Sequence, residues 1–318
     1  MISEFSLIER FFAKPTPQAL LGVGDDAALM AIAPGMELAV STDMLVSGTH
    51  FFPDADPRKL GWKTLAVNVS DMAAMGAKPR WATLALALPR AEEAWLEAFA
   101  SGFFACAGKF GIDLVGGDTT RGPLTLSVTI FGEIPQGQAL RREGARPDDD
   151  IWVSGTLGGS ALALAAIQGQ TTLDTDDLDA CRLLLDMPQP RVDLGLALRG
   201  IATSALDISD GLLGDLGHIL ERSRVGAELC FDALPAHAAL EPLLAGERAQ
   251  HCLLAGGDDY ELCFTAPRVK HDEIKALEDR LGLKLSRVGK ITAETGLRLL
   301  DAAGNPMAKP GRGYDHFA

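Results

Sequence analysis

Apolar residues along the first half of the chain follow two periodicities, one typical of helices and one typical of strands. They recur at helical spacing from Phe5 to Phe12 and from Asp56 to Gly76, whereas residues 83–88 alternate Leu with Thr and Ala. The same patterns predict a helix at 91–109 and strands at 38–42, 113–115 and 124–133. The order strand, helix, strand, helix, strand, strand predicts a four-stranded α+β domain.

The predicted strand 83–88 is apolar on both of its faces. The leucines lie on one face and the smaller residues on the other, as Leu84, Leu86 and Leu88 against Thr83, Ala85 and Ala87. Helices of the same domain can cover one face, and a sheet buried on both faces needs a second cover. We therefore expect a homodimer formed through the first half of the chain.

A polar stretch with glycine and proline, residues 135–150, separates the two halves of the chain. It predicts an N-terminal domain of residues 1–137 and a C-terminal domain of residues 148–318. The elements predicted for the second half are strand 151–154, a helix that starts after the glycine loop 155–160, a helical segment within 171–189, helix 193–199, strand 205–208, helix 209–222, strands 227–231 and 260–265, helix 269–281, and strands 285–291 and 297–300. Both halves thus mix helices and strands, which favours an α+β protein of two domains.

Composition excludes several classes of partner. The net charge is −14 and the isoelectric point is near 4.8, which argues against nucleic acid or an anionic membrane as the main partner. No apolar run reaches the roughly 18 residues of a membrane span, and the first residues lack the pattern of a signal peptide. The five cysteines occur singly, as expected for reduced thiols, so we predict a cytoplasmic protein.

Short acidic turns recur along the chain, each beside Gly, Ser or Thr. They are Gly24-Asp25-Asp26, Ser41-Thr42-Asp43, Ser70-Asp71, Gly116-Gly117-Asp118, Asp207-Ile208-Ser209-Asp210-Gly211 and Gly256-Gly257-Asp258-Asp259. Two carboxylates about 4 Å apart repel by roughly 4 kcal/mol at an effective dielectric of about 20, so a converging cluster needs cations. Oxygen ligands favour Mg²⁺ over zinc. An exposed Asp71 without a ligand is the alternative at that position.

Three further motifs could contact phosphate, and each has an alternative. Residues 22–27 match the dinucleotide pattern G-x-G-x-x-A, but Asp25 and Asp26 stand where a pyrophosphate needs N–H donors, which suits a metal better. The glycine loop 155–160 could hold an anion or simply form a tight turn. The pair Arg141-Arg142 could reach a phosphate or remain solvated.

The chain lacks the G-x-x-x-x-G-K-[ST] loop and the H-R-D and D-F-G motifs of protein kinases. A nucleotide-using enzyme of this kind must hold a triphosphate mainly through Mg²⁺ bridged to carboxylates. That arrangement suits phosphoryl transfer, in which catalysis consists largely of positioning and charge neutralisation.

Together these motifs resemble the thiamine-monophosphate kinase family, over essentially the whole chain. The matching stretches are Phe5–Ile8, Gly22–Asp26, Ser41–Asp43, Asn68–Gly76, Gly116–Thr120, Asp207–Leu212, Gly256–Leu262 and Gly313–Phe317. The resemblance implies the two-domain aminoimidazole ribonucleotide synthetase-like α+β fold, with N-terminal domains paired into a dimeric β-barrel. It also implies ATP-dependent phosphorylation of thiamine monophosphate by direct in-line transfer, assisted by several Mg²⁺ ions. A monovalent cation is a further candidate cofactor.

The resemblance also implies roles for individual residues. The expected metal ligands are Asp26, Ser41, Thr42, Asp43, Asp71, Asp118, Asp207 and Asp210, of which Asp43, Asp71 and Asp210 are expected to be catalytic. Contacts to ATP are expected from Gly117, Asp118, Arg142 and Ser209, and contacts to thiamine monophosphate from His50, Asp258 and Tyr314. The family usually has Glu where this chain has Asp258, so that contact should be shorter or pass through water. Tyr314 is expected to stack on the cationic thiazolium ring, the alternative being that it packs on its own domain.

Two other functions remain at this point. One is an ATP-dependent ligase or cyclase of the same superfamily that acts on a ribonucleotide. The other is a non-catalytic nucleotide-sensing scaffold, which should have lost acidic positions that are all filled here.

Overall fold

The computed structural model describes residues 4–309, which fall into two compact units. The first unit contains the residues up to 72 together with 77–137, and the second contains 73–76 together with the residues from 138 onward. None of the helices in the described part of the chain combines the length and apolar character that crossing a lipid bilayer requires.

The first unit begins with a short helix that continues into a π-helical turn. Its elements are α1 (Glu4–Leu7), the π-helical turn (Ile8–Phe12), β1 (Met36–Val46), α2 (Pro57–Ala74), β2 (Lys78–Leu88), α3 (Glu93–Phe110), β3 (Asp113–Arg121) and β4 (Thr125–Pro135). The strands form one sheet in the order β1-β4-β2-β3, antiparallel except for the pair β2–β3. The predicted four-stranded α+β domain is confirmed.

Helix α2 lies on the face of this sheet that carries the leucines of β2. Leu84, Leu86 and Leu88 are all buried. Helices α2 and α3 pack backbone against backbone, because a Cβ on Gly61 would collide with the carbonyl oxygen of Phe99 and one on Gly102 with that of Arg58. These two glycines let the helices approach closely over a sheet of small and medium side chains.

The opposite face of the sheet is uncovered in the single chain. Ala85 is exposed, Thr83 and Ala87 are partly exposed, and the edge strand β1 of the same sheet shows Val40 and Met44 at 55% and 56% exposure. The prediction that both faces are buried therefore holds only for the leucine face within one copy of the chain.

The second unit is built on a mixed sheet with helices. Its elements are β5 (Asp150–Ser154), α4 (Gly159–Ile167), α5 (Thr175–Asp186), α6 (Val192–Ala197), β6 (Ser204–Asp207), α7 (Leu212–Ser223), β7 (Gly226–Cys230), α8 (Glu247–Ala255), β8 (Leu262–Ala266), α9 (His271–Leu281), β9 (Leu285–Thr292) and β10 (Gly296–Leu300), with 3₁₀ turns at Phe231–Ala233, Glu241–Leu243 and Arg268–Lys270. The strand order is β10-β7-β9-β5-β8-β6, with only β10–β7 parallel among these pairs. Leucine and alanine side chains dominate the core.

Two predicted strands are longer in the structure than the apolar runs indicated. The strand predicted at 38–42 extends to Val46, because residues 43–46 continue to pair with β4, so Asp43 lies inside the strand rather than after it. The strand predicted at 113–115 extends to Arg121 by pairing in parallel with β2, which places Asp118 within the strand. In both cases a neighbouring strand supplies backbone partners to polar residues.

The helix predicted at 209–222 begins three residues later, at Leu212. Gly211 has φ +112°, a conformation outside the helical region, so Ser209 and Asp210 lie in the preceding loop and not in the first helical turn. Helix α8 has no counterpart among the predicted elements. The strand predicted at 260–265 begins at Leu262, because Tyr260 has φ +51°.

Candidate active site

Strand β1 and the last turns of α2 bring three of the predicted ligands together in the first unit. Ser41 and Asp43 are two residues apart on the strand and therefore share a face, and Asn68 and Asp71 are three apart on the helix. The Ser41 hydroxyl donates to Asp71 Oδ2 over 2.5 Å, and the Asp43 backbone N–H donates to Asn68 Oδ1 over 3.1 Å. Ser41, Asp43 and Asp71 are all partly buried, so two carboxylates and a hydroxyl line one corner between sheet and helix.

Thr42 lies apart from this corner because successive strand residues face opposite sides of a sheet. Its hydroxyl is hydrogen-bonded to that of Thr129 over 2.8 Å, on the uncovered face. The structure thus separates the Thr42 side chain from those of Ser41 and Asp43 within one chain.

A cavity of about 570 Å³ in the first unit collects a second group of predicted residues. Asp25, Asp26 and Asp118 lie at it, and its apolar lining includes Phe12 and Leu86. The backbone comes close at this point, since a Cβ on Gly117 would collide with the carbonyl oxygen of Leu84. Such a cavity, apolar inside with a few charged groups at its edge, suits a flat ring that carries a charged chain.

In the second unit, Asp215 organises the loop that precedes α7. Its Oδ2 atom accepts the backbone N–H groups of Ser209, Asp210 and Gly211 over 3.1, 3.0 and 3.1 Å. Burial raises the pKa of Asp215 to about 7; the hydrogen bond from the Asp210 N–H opposes this, and the charges of Asp207 and Asp210 add to it. Asp207 is 8% exposed and Asp210 is exposed, so the loop presents a carboxylate outward.

Sequence analysis overlooked Asp215, although a signal was present. An acidic residue in the first turn of a helix, four residues after a glycine, is placed to accept the free N–H groups of that turn and of the residues before it.

The glycine-rich stretch 256–261 runs beside the same loop. Asp258 N–H donates to the Ser209 carbonyl and Tyr260 N–H to the Ile208 carbonyl, each over 2.8 Å. Asp258 has φ +66°, an unusual value for a residue other than glycine, and the Tyr260 hydroxyl donates to Asp258 Oδ1 over 3.1 Å. The structure therefore brings Asp258 to Ser209 and Asp210, and it assigns Tyr260 a positioning contact that the sequence did not indicate.

Behind this loop lies a buried polar cluster. Ser154 Oγ donates to Glu261 Oε2 over 2.6 Å, and the Arg191 guanidinium contacts both carboxylate oxygens of Glu261. Burial works to lower the pKa of Arg191, but Glu261 outweighs it and the pKa is raised. Asp259 accepts the Gly158 N–H over 2.9 Å, and burial, with the charges of Glu261 and Asp258, raises its pKa well above the ordinary value.

Hydrogen bonds within the fold use three N–H groups of the glycine loop 155–160. The N–H groups of Gly155, Leu157 and Gly158 donate to the Lys284 carbonyl, the Pro235 carbonyl and Asp259. These three donors are not available to an anion, which favours the interpretation of the loop as a tight turn.

The remaining predicted residues lie in several places. His50 Nδ1 accepts the Val46 N–H over 3.0 Å at the end of β1. The Arg142 side chain is exposed, and its carbonyl accepts the Ser223 hydroxyl over 3.2 Å. Tyr314 and the rest of the terminal motif, residues 313–317, are outside the described residues.

Across residues 4–309, no group of three or more His, Cys, Asp or Glu side chains forms a ready-made metal site. The oxygen donors present nevertheless fit Mg²⁺, which keeps several waters and binds through one or two carboxylates together with substrate phosphates. Asp43 and Asp71 in the first unit, and Asp207 and Asp210 in the second, have this character.

Comparisons with known proteins define the class to which this fold and these acidic loops belong. Residues 24–134 match the family described as AIR synthase related protein, N-terminal domain, and residues 146–302 match its C-terminal domain. The chain therefore belongs to the AIR synthase related family, and its predicted fold class is confirmed.

Relatives within that family are thiamine-monophosphate kinases. The one from Escherichia coli (strain K12) is 46% identical over 319 residues, covering 99% of this chain and 98% of the relative. The crystal structure of thiamine-monophosphate kinase from Stenotrophomonas maltophilia K279a has a TM-score of 0.87 at 51% identity and covers 94% of this chain and 96% of its own. The structure of AaThiL complexed with AMPPCP and TMP has a TM-score of 0.77 at 29% identity, covering 90% and 89%. The chain is thus a member of the thiamine-monophosphate kinases, as its motifs predicted.

Proposed function

We propose that this chain transfers the γ-phosphoryl group of ATP to thiamine monophosphate and so makes thiamine diphosphate. The observation that carries this proposal is the full-length match to thiamine-monophosphate kinases, and the Ser41–Asp71 and Ser209–Asp215 hydrogen bonds at the acidic motifs support it. A homologous structure holds an ATP analogue and TMP together, which are the two substrates that this reaction needs.

In this proposal, carboxylates in each of the two units are Mg²⁺ ligands. Asp43 and Asp71, with the Ser41 hydroxyl, form one set, and Asp207 and Asp210 form another. When bound, the ions neutralise the triphosphate charge and orient the γ-phosphate. Asp26 and Asp118 add carboxylates at the 570 Å³ cavity, for which we propose the nucleotide as ligand.

The protein's own groups then act by positioning. Asp215 fixes Ser209 and Asp210 through their backbone N–H groups, and Tyr260 fixes Asp258, which we assign to thiamine monophosphate. Arg142 is free to reach a phosphate from its exposed position, and His50 and Tyr314 complete the proposed substrate contacts. A direct in-line displacement needs no covalent intermediate on the enzyme, because alignment and charge neutralisation supply the catalysis.

We also propose that two copies of the chain pair through the uncovered face of the first sheet. This face exposes Val40, Met44 and Ala85, and Leu20 and Leu29 are exposed at 74% and 55% in the segment that precedes β1. Apolar surface of this kind marks an interaction site.

The five cysteines lie as free thiols, which supports a cytoplasmic location.

The direct test uses the purified chain with ATP, Mg²⁺ and thiamine monophosphate. We expect thiamine diphosphate and ADP to form in equal amounts. Aminoimidazole-type ribonucleotide precursors, offered as competing acceptors, should give no ATP turnover. Turnover only with a ribonucleotide would favour the ligase or cyclase function, and ATP binding without turnover on any acceptor would favour a sensing scaffold.

A further inference from the structure

The segment between the π-helical turn and β1 carries Asp25 and Asp26 to the cavity of the first unit, but little of it is buried. Residues 18–33 contain turns and isolated bridges without a regular helix or strand. Most of the segment is exposed, including both aspartates. Since burial does not fix this segment, other contacts must set its position.

An inner pair of contacts closes the segment into a loop. Leu21 N–H donates to the Leu29 carbonyl over 3.2 Å, and Leu29 N–H donates back to the Leu21 carbonyl over 2.9 Å. The bridge encloses residues 22–28, of which residues 23–28 line the cavity. The Leu21–Leu29 bridge therefore sets the shape of the loop 22–28. It does not set the position of this loop relative to the sheet.

A partly buried ion pair contacts the two ends of the segment. Arg80 Nε donates to Glu133 Oε2 over 2.7 Å, with side-chain exposures of 28% and 4%. Arg80 is on β2 and Glu133 on β4, at a register shift between Pro79 and Trp81 in the pairing of these strands. Such an irregularity changes the direction in which a side chain points from a regular strand.

Each partner of the ion pair binds one end of the segment. Arg80 Nη1 donates to Gln18 Oε1 over 2.8 Å, and Glu133 Oε1 accepts the Ala33 N–H over 3.0 Å. Gln18 is further held by its N–H to Asp113 Oδ2 and by its side-chain amide to the Gly111 carbonyl, both over 2.7 Å. One ion pair thus joins the beginning and the end of a 16-residue stretch, residues 18–33.

The charges of this pair make the attachment strong. Burial works to raise the pKa of Glu133, but the Ala33 hydrogen bond and Arg80 outweigh it and the pKa is lowered. A hydrogen bond to an ionised group is stronger than one between neutral groups. Removing the charge of Arg80 would also leave the buried Glu133 carboxylate without this partner.

We propose that the Arg80–Glu133 pair is a positioning device for the nucleotide cavity: it fixes both ends of residues 18–33 and so holds Asp25 and Asp26 at the cavity. The nucleotide as ligand rests on the proposed function, whereas the attachment of the segment does not. Arg80 and Glu133 do not line the cavity, so they act through the loop and not on the substrate.

The test compares Glu133→Gln with the wild type by amide hydrogen exchange without ligand, and by the KM values for ATP and thiamine monophosphate. We expect exchange in residues 20–32 to become about tenfold faster or more, while exchange in β1–β4 stays unchanged. The KM for ATP should rise about tenfold and that for thiamine monophosphate should change less than about twofold. Glu93→Gln is the matched control, because it removes the exposed Arg10–Glu93 pair of the same unit.

A second variant covers the case in which Glu133→Gln unfolds the whole unit. Gln18→Ala removes the side-chain contacts to Arg80 and to the Gly111 carbonyl without altering the sheet, and it leaves the backbone N–H of residue 18 on Asp113. It should raise exchange within the segment and the KM for ATP in the same direction. Unchanged exchange in residues 20–32 would overturn the proposal, and so would faster exchange with an unchanged KM for ATP. Failure of the proposed function would be seen separately, as a wild type that makes no thiamine diphosphate.

Discussion

The carboxyl group of Asp259 is buried behind the loop at 256–261, where one oxygen accepts the Gly158 N–H and the other has no hydrogen-bond partner among the described residues. Burial raises its pKa well above the ordinary 3.8. The folded protein therefore favours the protonated acid, since an ionised carboxylate there would be poorly solvated.

The sign of the pH effect follows from this shift. Because the folded-state pKa lies above the unfolded one, the contribution of Asp259 to stability is full below pH of about 4 and is lost as pH rises through the raised value. Asp259→Asn keeps an oxygen for the Gly158 N–H and cannot ionise. We expect its Tm to exceed that of the wild type at pH 8, with the difference shrinking towards pH 4.

Thermal melts across that range, with the exposed Asp279→Asn as control, check this prediction. Parallel Tm curves for the wild type and Asp259→Asn would contradict it.

At the scale of single elements, the loop before α7 shows what sequence patterns can and cannot supply. The motif at 207–211 indicates an acidic loop, but the sequence pattern predicts a helix from Ser209 onward. The real start at Leu212 depends on the positive φ of Gly211 and on Asp215, which accepts three N–H groups. Asp215, which forms this cap, follows in the sequence the loop that it stabilises.

Strand ends were missed for a related reason. The apolar runs predicted that β1 and β3 exist, yet Asp43 and Asp118 lie inside them because neighbouring strands pair with polar residues there. The Ser41–Asp71 contact also depends on how α2 crosses the sheet, which no local pattern specifies. The residue types in the sequence predicted the acidic loops. Tertiary packing determines which of their side chains lie close to one another.

Asp215→Ala tests the importance of that cap. We expect a loss of about 1–2 kcal/mol, as for other helix caps, because three N–H groups lose their acceptor. For a unit of this size the Tm should fall by about 2–8 °C. Turnover should also decrease, since Ser209 and Asp210 lose their support.

Asp215→Asn is the matched control, because its amide oxygen can still accept the N–H groups. Thermal melting and turnover of both variants give the comparison. If alanine and asparagine at this position behaved alike, the capping role of Asp215 would be wrong.

At the scale of the whole molecule, one face of the first sheet exposes apolar side chains that no other part of the described chain covers. Leu84, Leu86 and Leu88 are buried beneath their own helices, whereas Ala85 on the opposite face is exposed. The alternation in β2 predicted that this second face is apolar, but a single sequence cannot show which surface covers it. A second copy of the same face is the cover that we propose.

Ala85→Glu should convert the proposed dimer to a monomer, because it places a charge in the middle of the proposed interface. Sedimentation at micromolar concentration should give the mass of two 33.6 kDa chains for the wild type and of one for the variant. Ala94→Glu introduces the same charge at an exposed position of α3 and should remain dimeric. A monomeric wild type would rule out this interface.

In the proposed function, carboxylates such as Asp71 hold Mg²⁺ for phosphoryl transfer from ATP to thiamine monophosphate. The most direct measurement is thiamine diphosphate formation by the wild type and by Asp71→Asn, each across a Mg²⁺ titration and with EDTA. The exposed Glu97→Gln on α3 serves as the control. We predict product from the wild type only with Mg²⁺, and a turnover at least about 100-fold lower for Asp71→Asn at saturating Mg²⁺ with a similar Tm. Product in EDTA, or near-normal turnover of Asp71→Asn, would contradict the account.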